Sequence, residues 1–425
     1  MNRFFTTPLK NSDDVIYSAL QKELIRQQSQ IELIASENLV SKACLTALGS
    51  VITNKTVEGY PGGRFHGGAE FADAVEREAI ERSKKLFECQ YANVQPHSGT
   101  QANQAVFFAT LSPGDTVLSM ALTSGGHLSH GAAPSMSGRW FSAVNYTISK
   151  ETGLVDYHQI EQLAQAHRPK LIIAGGSAYP REIDFTSIRK IADQIGALFL
   201  VDMAHFAGLV AAGAHPSPVP IADIVTLTTT KTLRGPRGGV ILTNREDLAK
   251  KINSAVFPGF QGSIHLQVIA AKAVALGEAL KPEYKAYGHQ VVENARTLAA
   301  VLQDRGFNLV GGGTDTHLVL VNVGSKGLTG REAEDLLGAV NMTCNKNPVP
   351  SDPGAPSKWS GIRLGTAAAT TRGFNIKDFI RIGNLIADVL ENAAKGGQTS
   401  ASVSEHVRYE VAKLCAMYPI YADIL

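Results

Sequence analysis

Six short apolar runs, at 116–122, 141–148, 170–174, 198–203, 224–228 and 239–243, succeed one another along the middle of the chain, and helical stretches at 157–166 and 187–195 fill some of the gaps. A strand covered on both faces has no polar side to show, and parallel neighbours need a crossover long enough for a helix. The alternation therefore predicts an α/β protein built on a mainly parallel sheet with helices on both faces. Ligands of such sheets bind beyond the carboxyl ends of the strands. The residues with chemistry to offer fall there: Gly126 and His127 after the first run, Ser177 after the third, Asp202 and His205 at the end of the fourth, and Lys231 after the fifth.

Lys231 stands in Thr228-Thr229-Thr230-Lys231-Thr232-Leu233-Arg234-Gly235, at the end of an apolar run and before a glycine-rich turn. A lysine presented from a strand end and partly desolvated can attack an aldehyde as the neutral amine, which suits a Schiff base to pyridoxal phosphate (PLP). Thr228 and its neighbours offer hydroxyls to a phosphate. The plainer reading of the run is a surface loop. Asp202 suits a protonated pyridine nitrogen, which turns the ring into an electron sink; alone, it reads equally as a turn cap. His127 suits stacking on the ring and His205 a bond near its hydroxyl, although a single histidine beside a strand is more often structural. His97-Ser98-Gly99-Thr100 opens a helical stretch whose N–H groups and dipole can hold a phosphate, or which Ser98 merely caps. Arg363 suits a bidentate carboxylate contact. Glu58 and His66 lie in a glycine-rich segment, 56–68, expected to be an ordered loop without helix or strand and a source of proton-transfer groups.

Length and charge set the limits. The 425 residues allow a large domain and a smaller one, and a net charge of +2 argues against nucleic acid or a membrane surface as a partner. Cys44, Cys89, Cys344 and Cys415 are scattered without a CxxC pair, so neither a metal site nor a disulfide frame is expected. With no signal-like start after Met1-Asn2 and no membrane-length apolar run, the expected location is cytoplasmic. Helical spacing at 13–35 predicts an N-terminal arm. The expected division is an arm and interface loop at 1–70, a large domain at 71–285 and a small α+β domain at 286–425, with a linker-like stretch at 395–400.

Taken together, Ile31-Glu32-Leu33-Ile34-Ala35-Ser36-Glu37-Asn38, Glu58-Gly59-Tyr60-Pro61-Gly62, Ser124-Gly125-Gly126-His127-Leu128, Val201-Asp202-Met203-Ala204-His205, the Lys231 run and Asn345-Lys346-Asn347 resemble the serine hydroxymethyltransferase family, from about residue 12 to 420. The resemblance implies PLP fold type I, the aspartate aminotransferase-like fold, with a seven-stranded sheet. It implies that Lys231 carries the cofactor and that Asp202 meets the pyridine nitrogen. His127 would stack on the ring, and Ser98, Gly99, Thr100, Thr228 and Ser263 would serve the phosphate. Ser177 and His205 would lie near the hydroxyl, and Arg363 and Ser36 would hold the substrate carboxylate. It further implies a homodimer at least, with a tetramer as the alternative. Glu58, Phe65 and His66 would then reach the partner copy's amino acid substrate, and Leu122, Gly126, Leu128 and Asn347 match folate-contacting positions.

The chain departs from that pattern at several points. The family usually carries tyrosines where this chain has Phe65 and His66, histidines where it has Ser124 and Thr230, and other residues at Thr56, 260–265 and 355–359. These changes fall on the cofactor-phosphate rim and the folate pocket, which makes tetrahydrofolate doubtful as a required co-substrate. The favoured expectation is a PLP enzyme that makes or breaks Cα–Cβ of a β-hydroxy-α-amino acid without folate, resembling the α-methylserine (2-methylserine) aldolase and hydroxymethyltransferase branch. The alternatives are a folate-dependent serine hydroxymethyltransferase, a threonine-type aldolase or transaldolase, and a non-catalytic PLP-binding dimer.

Overall fold

A computed structural model describes residues 3–350, 352, 355–396 and 399–424. Met1 and Asn2, at the start examined for a signal, and Gly397 and Gln398 of the linker-like stretch lie outside the described residues; Lys395 and Gly396 end a helix, Ile376–Gly396, and do not belong to a linker.

Seven strands form the central sheet: β1 Tyr91–Asn93, β2 Thr116–Met120, β3 Ser142–Tyr146, β4 Leu171–Ala174, β5 Leu198–Asp202, β6 Ile224–Thr228 and β7 Gly239–Thr243. Their order across the sheet is β1-β7-β6-β5-β4-β2-β3. β7 alone runs antiparallel, pairing with β6 on one side and β1 on the other. The register sets Val201 opposite Val225 and Asp202 opposite Thr226, so β5 and β6 end side by side. Every residue of β4, β6 and β7 is buried, as two covered faces require. Gly99–Thr110, Tyr157–His167 and Phe185–Ile195 are started by Ser98, Asp156 and Asp184, whose side-chain oxygens accept backbone N–H groups of the first turn.

A four-stranded antiparallel sheet follows: β8 Asn308–Leu309, β9 Leu318–Asn322, β10 Asn345–Asn347 and β11 Gly361–Gly365, in the order β8-β9-β11-β10. Helix Pro282–Asp304 gives Tyr284, Val291 and Val292 to the core of the large sheet, and Leu298 and Leu302 to the core behind the small one. No helix among the described residues is long and apolar enough to cross a membrane.

The structure corrects two expectations. The helix expected over 13–35 stops at Ser29, because Ile31–Glu32 is a strand paired in parallel with Met342–Thr343. The main-chain N–H groups of Ile31 and Leu33 donate to Asn341 and Thr343 instead of to the preceding turn. The segment 56–68 also contains regular structure: Gly59–Tyr60 pairs antiparallel with Gly63–Arg64. Pro61 and Gly62 (φ 86°) supply the turn between them, a conformation that needs positive φ at its third residue.

Candidate active site

Lys231 follows the last residue of β6 by three positions and has a left-handed backbone, φ 52°. A non-glycine residue holds that conformation only where its surroundings fix it. Here Asn38 Nδ2 donates to the Lys231 carbonyl at 2.6 Å, and Gly235 N and Thr229 O close the turn at 2.7 Å. Next in the chain, Thr232 O accepts from Tyr284 and Tyr287 hydroxyls at 2.9 and 3.0 Å. The lysine opens onto a cleft of about 180 Å³ at the carboxyl ends of the strands. Desolvation lowers its amine to about 8; the Asp202 charge opposes the shift, and Arg363 and Arg237 reinforce it.

Asp202 lines the same cleft. Its Oδ2 accepts from Asn103 Nδ2 at 2.8 Å and lies 2.8 Å from His130 Nε2, while Oδ1 accepts from Ala204 N at 3.0 Å. Desolvation pushes the carboxyl up, but the hydrogen bonds of His130 and Asn103 hold it well below the usual range. Asn103 is itself fixed by Thr226 Oγ1, at 2.6 Å, and donates to Ser129 Oγ at 2.9 Å; Ser129 Oγ lies 2.7 Å from His127 Nδ1. One buried network thus orients both Asp202 and His127. Desolvation lowers His127 to about 4, so the ring is neutral at ordinary pH. His127, His130 and Asp202 bring three ligand-type atoms within 4.8 Å of one another, but the bonds just described engage them with each other and with Ser129.

Ser98, Gly99, Thr100, Thr228 and Thr230 form the hydroxyl-rich end of the cleft, at the N-terminus of helix Gly99–Thr110. Ser177 and His205 also line it. Arg363, on β11, is 9% exposed and donates through Nη1 to Ser177 O at 2.6 Å and through Nε and Nη2 to Asn345 Oδ1 at 3.2 and 3.1 Å. One N–H on each nitrogen is used in this way, and a guanidinium has five. Ser36 follows Ala35, whose carbonyl lies 3.1 Å from His317 Nε2, beside the same strand.

Neither Arg363 nor Ser36 lines the cleft itself, although Arg363 bonds to Ser177, which does; other expected residues also lie outside it. Glu58 is half-buried, with Oε1 3.3 Å from where a Cβ on Gly262 would sit. His66 and Ser263 are exposed, and Phe65 is 75% exposed, edge-on to Phe257. Leu122 and Leu128 are exposed, Gly126 is buried beneath their loop, and Asn347 donates its amide to Pro348 O at 2.8 Å. The sequence reading missed Asn38, Asn103 and His130. Asn38 ends the Ile31–Asn38 motif as a polar residue without a role, Asn103 lies three residues beyond Thr100 inside the helix, and His130 gave no sign, because its contact with Asp202 crosses 72 positions.

The donor set fits PLP. A hydroxyl-rich helix N-terminus matches a phosphate dianion, a carboxylate held ionised matches a pyridinium, and a desolvated amine lies in the same cleft. Fold and site together define a PLP-dependent enzyme of fold type I. The sequence model of serine hydroxymethyltransferase matches residues 9–386, and the chain belongs to that family. It is 59% identical over 419 residues to a 2-methylserine hydroxymethyltransferase of Aminobacter sp., covering 99% of this chain and 98% of that one. It is 58% identical over 418 residues to a serine hydroxymethyltransferase of Paramagnetospirillum magneticum, covering 98% of each chain. A 2-methylserine hydroxymethyltransferase of Paracoccus sp. is 56% identical over 419 residues, covering 99% of this chain and 98% of its own. The chain is thus a hydroxymethyltransferase-family enzyme acting on small amino acids.

The buried histidines carry a pH prediction. Desolvation lowers His127 and His215 to about 4 and His317 to about 3, against about 6.5 in an unfolded chain. Between those values the unfolded chain binds more protons, so stability is full above pH ~6.5 and falls as the pH drops toward 4. His97, lowered to about 4, and His205, lowered well below its usual value, act in the same sense, whereas Glu32, raised to about 7 by desolvation and by Glu37, opposes them as one group against five. The thermal midpoint of the cofactor-free chain should fall by several degrees from pH 7 to pH 4.5; a flat profile would contradict the neutral histidines.

Proposed function

We propose that this chain makes and breaks the Cα–Cβ bond of a β-hydroxy-α-amino acid, with α-methylserine as the favoured substrate and no requirement for tetrahydrofolate. The observation that carries this reading is Thr230. It lines the cleft directly before Lys231, with Oγ1 turned to Thr228 Oγ1 at 2.9 Å, where the family usually carries histidine. Threonine is smaller than the histidine it replaces, which we take to give the cleft beside Lys231 room for the one methyl by which α-methylserine differs from serine.

Ser98, Gly99, Thr100 and Thr228 would hold the cofactor phosphate, Lys231 its aldehyde carbon, Asp202 its ring nitrogen and His127 its face. PLP, when bound, supplies a cationic conjugated ring that draws electrons away from Cα. Lys231, lowered to about 8, offers a substantial neutral fraction at mildly alkaline pH. Asp202, held ionised, keeps a proton on the ring nitrogen, and neutral His127 stacks without adding charge. Arg363 and Ser36 orient the substrate carboxylate. A base takes the β-hydroxyl proton, the Cα–Cβ bond breaks, formaldehyde leaves and Cα gains a proton, so α-methylserine gives alanine. We assign that base to Glu58 or His66 of a second copy, since both lie outside the cleft of their own chain. Ser263 and Phe65 lie outside it too, and the proposal therefore includes a homodimer with shared sites.

A second reading, folate-dependent serine turnover, draws support from the relative named serine hydroxymethyltransferase and from Leu122 and Leu128, which are 42% and 51% exposed on the loop leading to and from His127. The deciding experiment measures formaldehyde release from both enantiomers of α-methylserine and from L-serine, with and without tetrahydrofolate. Folate-independent cleavage of α-methylserine supports the first reading; turnover of L-serine only with folate replaces it with the second. Thr230→His should lower kcat/KM for α-methylserine relative to serine by roughly 10- to 200-fold, the discrimination available from one buried methyl. An unchanged ratio would remove Thr230 as the determinant.

A further inference from the structure

Lys272 is the one charged residue in the middle of the apolar helix Leu266–Ala279, and it is 1% exposed. Its ammonium donates to three main-chain carbonyls: Val94 at 2.7 Å, Gly239 at 2.8 Å and Pro96 at 3.0 Å. Among the described residues no carboxylate lies within ion-pair distance of it. Such a charge is expensive to bury without a counter-ion. An apolar side chain of equal length would fit the helix better, so the group has a task that only it performs. Lysine is the one side chain with three donors on a single atom, and here all three are used.

The three carbonyls belong to segments that meet beneath the hydroxyl-rich end of the cleft. Val94 and Pro96 lie on the path from β1 to Ser98, and Gly239 opens β7 directly after Gly238, which lines the cleft. Pro96 O also accepts from Gly239 N at 2.9 Å. The packing is close: a Cβ on Gly238 would sit 2.2 Å from Lys272 Cε, and one on Gly239 would sit 2.4 Å from Ser98 O. The stem of Lys272 therefore passes directly under the glycine pair, and the glycine pair abuts the residue that caps helix Gly99–Thr110. Desolvation lowers the amine to about 7, and the Glu76 charge opposes the shift.

We infer that Lys272 is a positioning residue for the cofactor phosphate, a tripod that fixes Ser98–Thr100 against the Gly238-Gly239 turn from below. The inference rests on the reading of Ser98–Thr100 as the phosphate cradle. A residue with this task affects the phosphate ester selectively, whereas a residue that only supports the fold affects every ligand of the cleft alike.

The test titrates PLP and phosphate-free pyridoxal separately into the cofactor-free full chain and follows the absorbance of the lysine adduct. In Lys272→Met the affinity for PLP should fall by at least about tenfold while that for pyridoxal stays within about threefold. Equal losses for the two ligands, or none, overturn the inference. Should Lys272→Met not fold, Gly238→Ala serves instead, because the added methyl displaces Lys272 Cε without removing the charge; it should show the same selective loss, and an unchanged ratio of affinities overturns the inference. Ser98→Ala separates the two levels. If that variant keeps the wild-type ratio, the cradle reading fails and the inference with it. If it loses PLP selectively while the Lys272 and Gly238 variants do not, the inference alone fails.

Discussion

Lys231→Ala is expected to abolish the absorbance of the cofactor adduct and to lower turnover by roughly 10⁴-fold or more, as loss of a covalent nucleophile does elsewhere. The size of the effect follows from the cleft. Among its lining residues Lys231 is the one amine; Arg237, which shares the lining, carries a guanidinium that does not deprotonate in this range. The amine is also already lowered to about 8 by desolvation, so a large share of it is neutral where an ordinary lysine is almost wholly protonated. The fold should survive, because the contacts that hold the turn are made by the Lys231 and Thr232 carbonyls and not by the amine. A variant that keeps the wild-type melting temperature and loses the band fits this account; a variant that keeps the band rejects Lys231 as the attachment point.

Asp202→Asn should lower kcat by about 10²- to 10³-fold, the range for removing one preorganised electrostatic partner of a developing charge. The adduct with Lys231 should still form, since the amine is untouched. Asparagine keeps the shape but presents an amide NH₂ where Oδ2 now faces two groups, Asn103 Nδ2 and His130 Nε2, both at 2.8 Å. The substitution therefore removes the charge and sets an amide against a donor. Spectral titration with substrate and single-turnover kinetics would separate binding from the chemical step. An unchanged kcat would mean that the carboxylate is only a turn cap.

Much of the site was legible because parallel sheets place chemistry where strands stop. The apolar runs that became β2 and β4 to β7 are rich in Val, Ile and Leu; Asp202 ends β5, and Ser177 and Lys231 follow β4 and β6. β1 was not legible: Tyr91–Asn93 is three residues long, carries no apolar run and is a strand only because it pairs with β7. The end of the N-terminal helix was hidden for a related reason. What stops it is the pairing of Ile31 with Met342, and no local spacing reports a partner 311 positions away. Lys272 did give a signal, a charge in the middle of an apolar helix, but only the three carbonyls around it give that charge a meaning. The positions of Glu58, Phe65, His66 and Ser263 stand apart from the cleft of their own chain, and nothing in a single chain brings them to one.

The reversed direction of β7 has a dynamic consequence. In an all-parallel sheet the segment after β6 would leave through a helix, and the lysine would sit on a loop free to open with it. Here β6 and β7 form a hairpin whose turn contains Lys231, with Gly239 opposite Thr228 and Leu242 opposite Val225. The amides of both strands belong to the buried interior, where opening requires global rather than local unfolding. Lys231 is thus tethered at both ends to strands whose every residue is buried, so its backbone is expected to open only with the sheet itself.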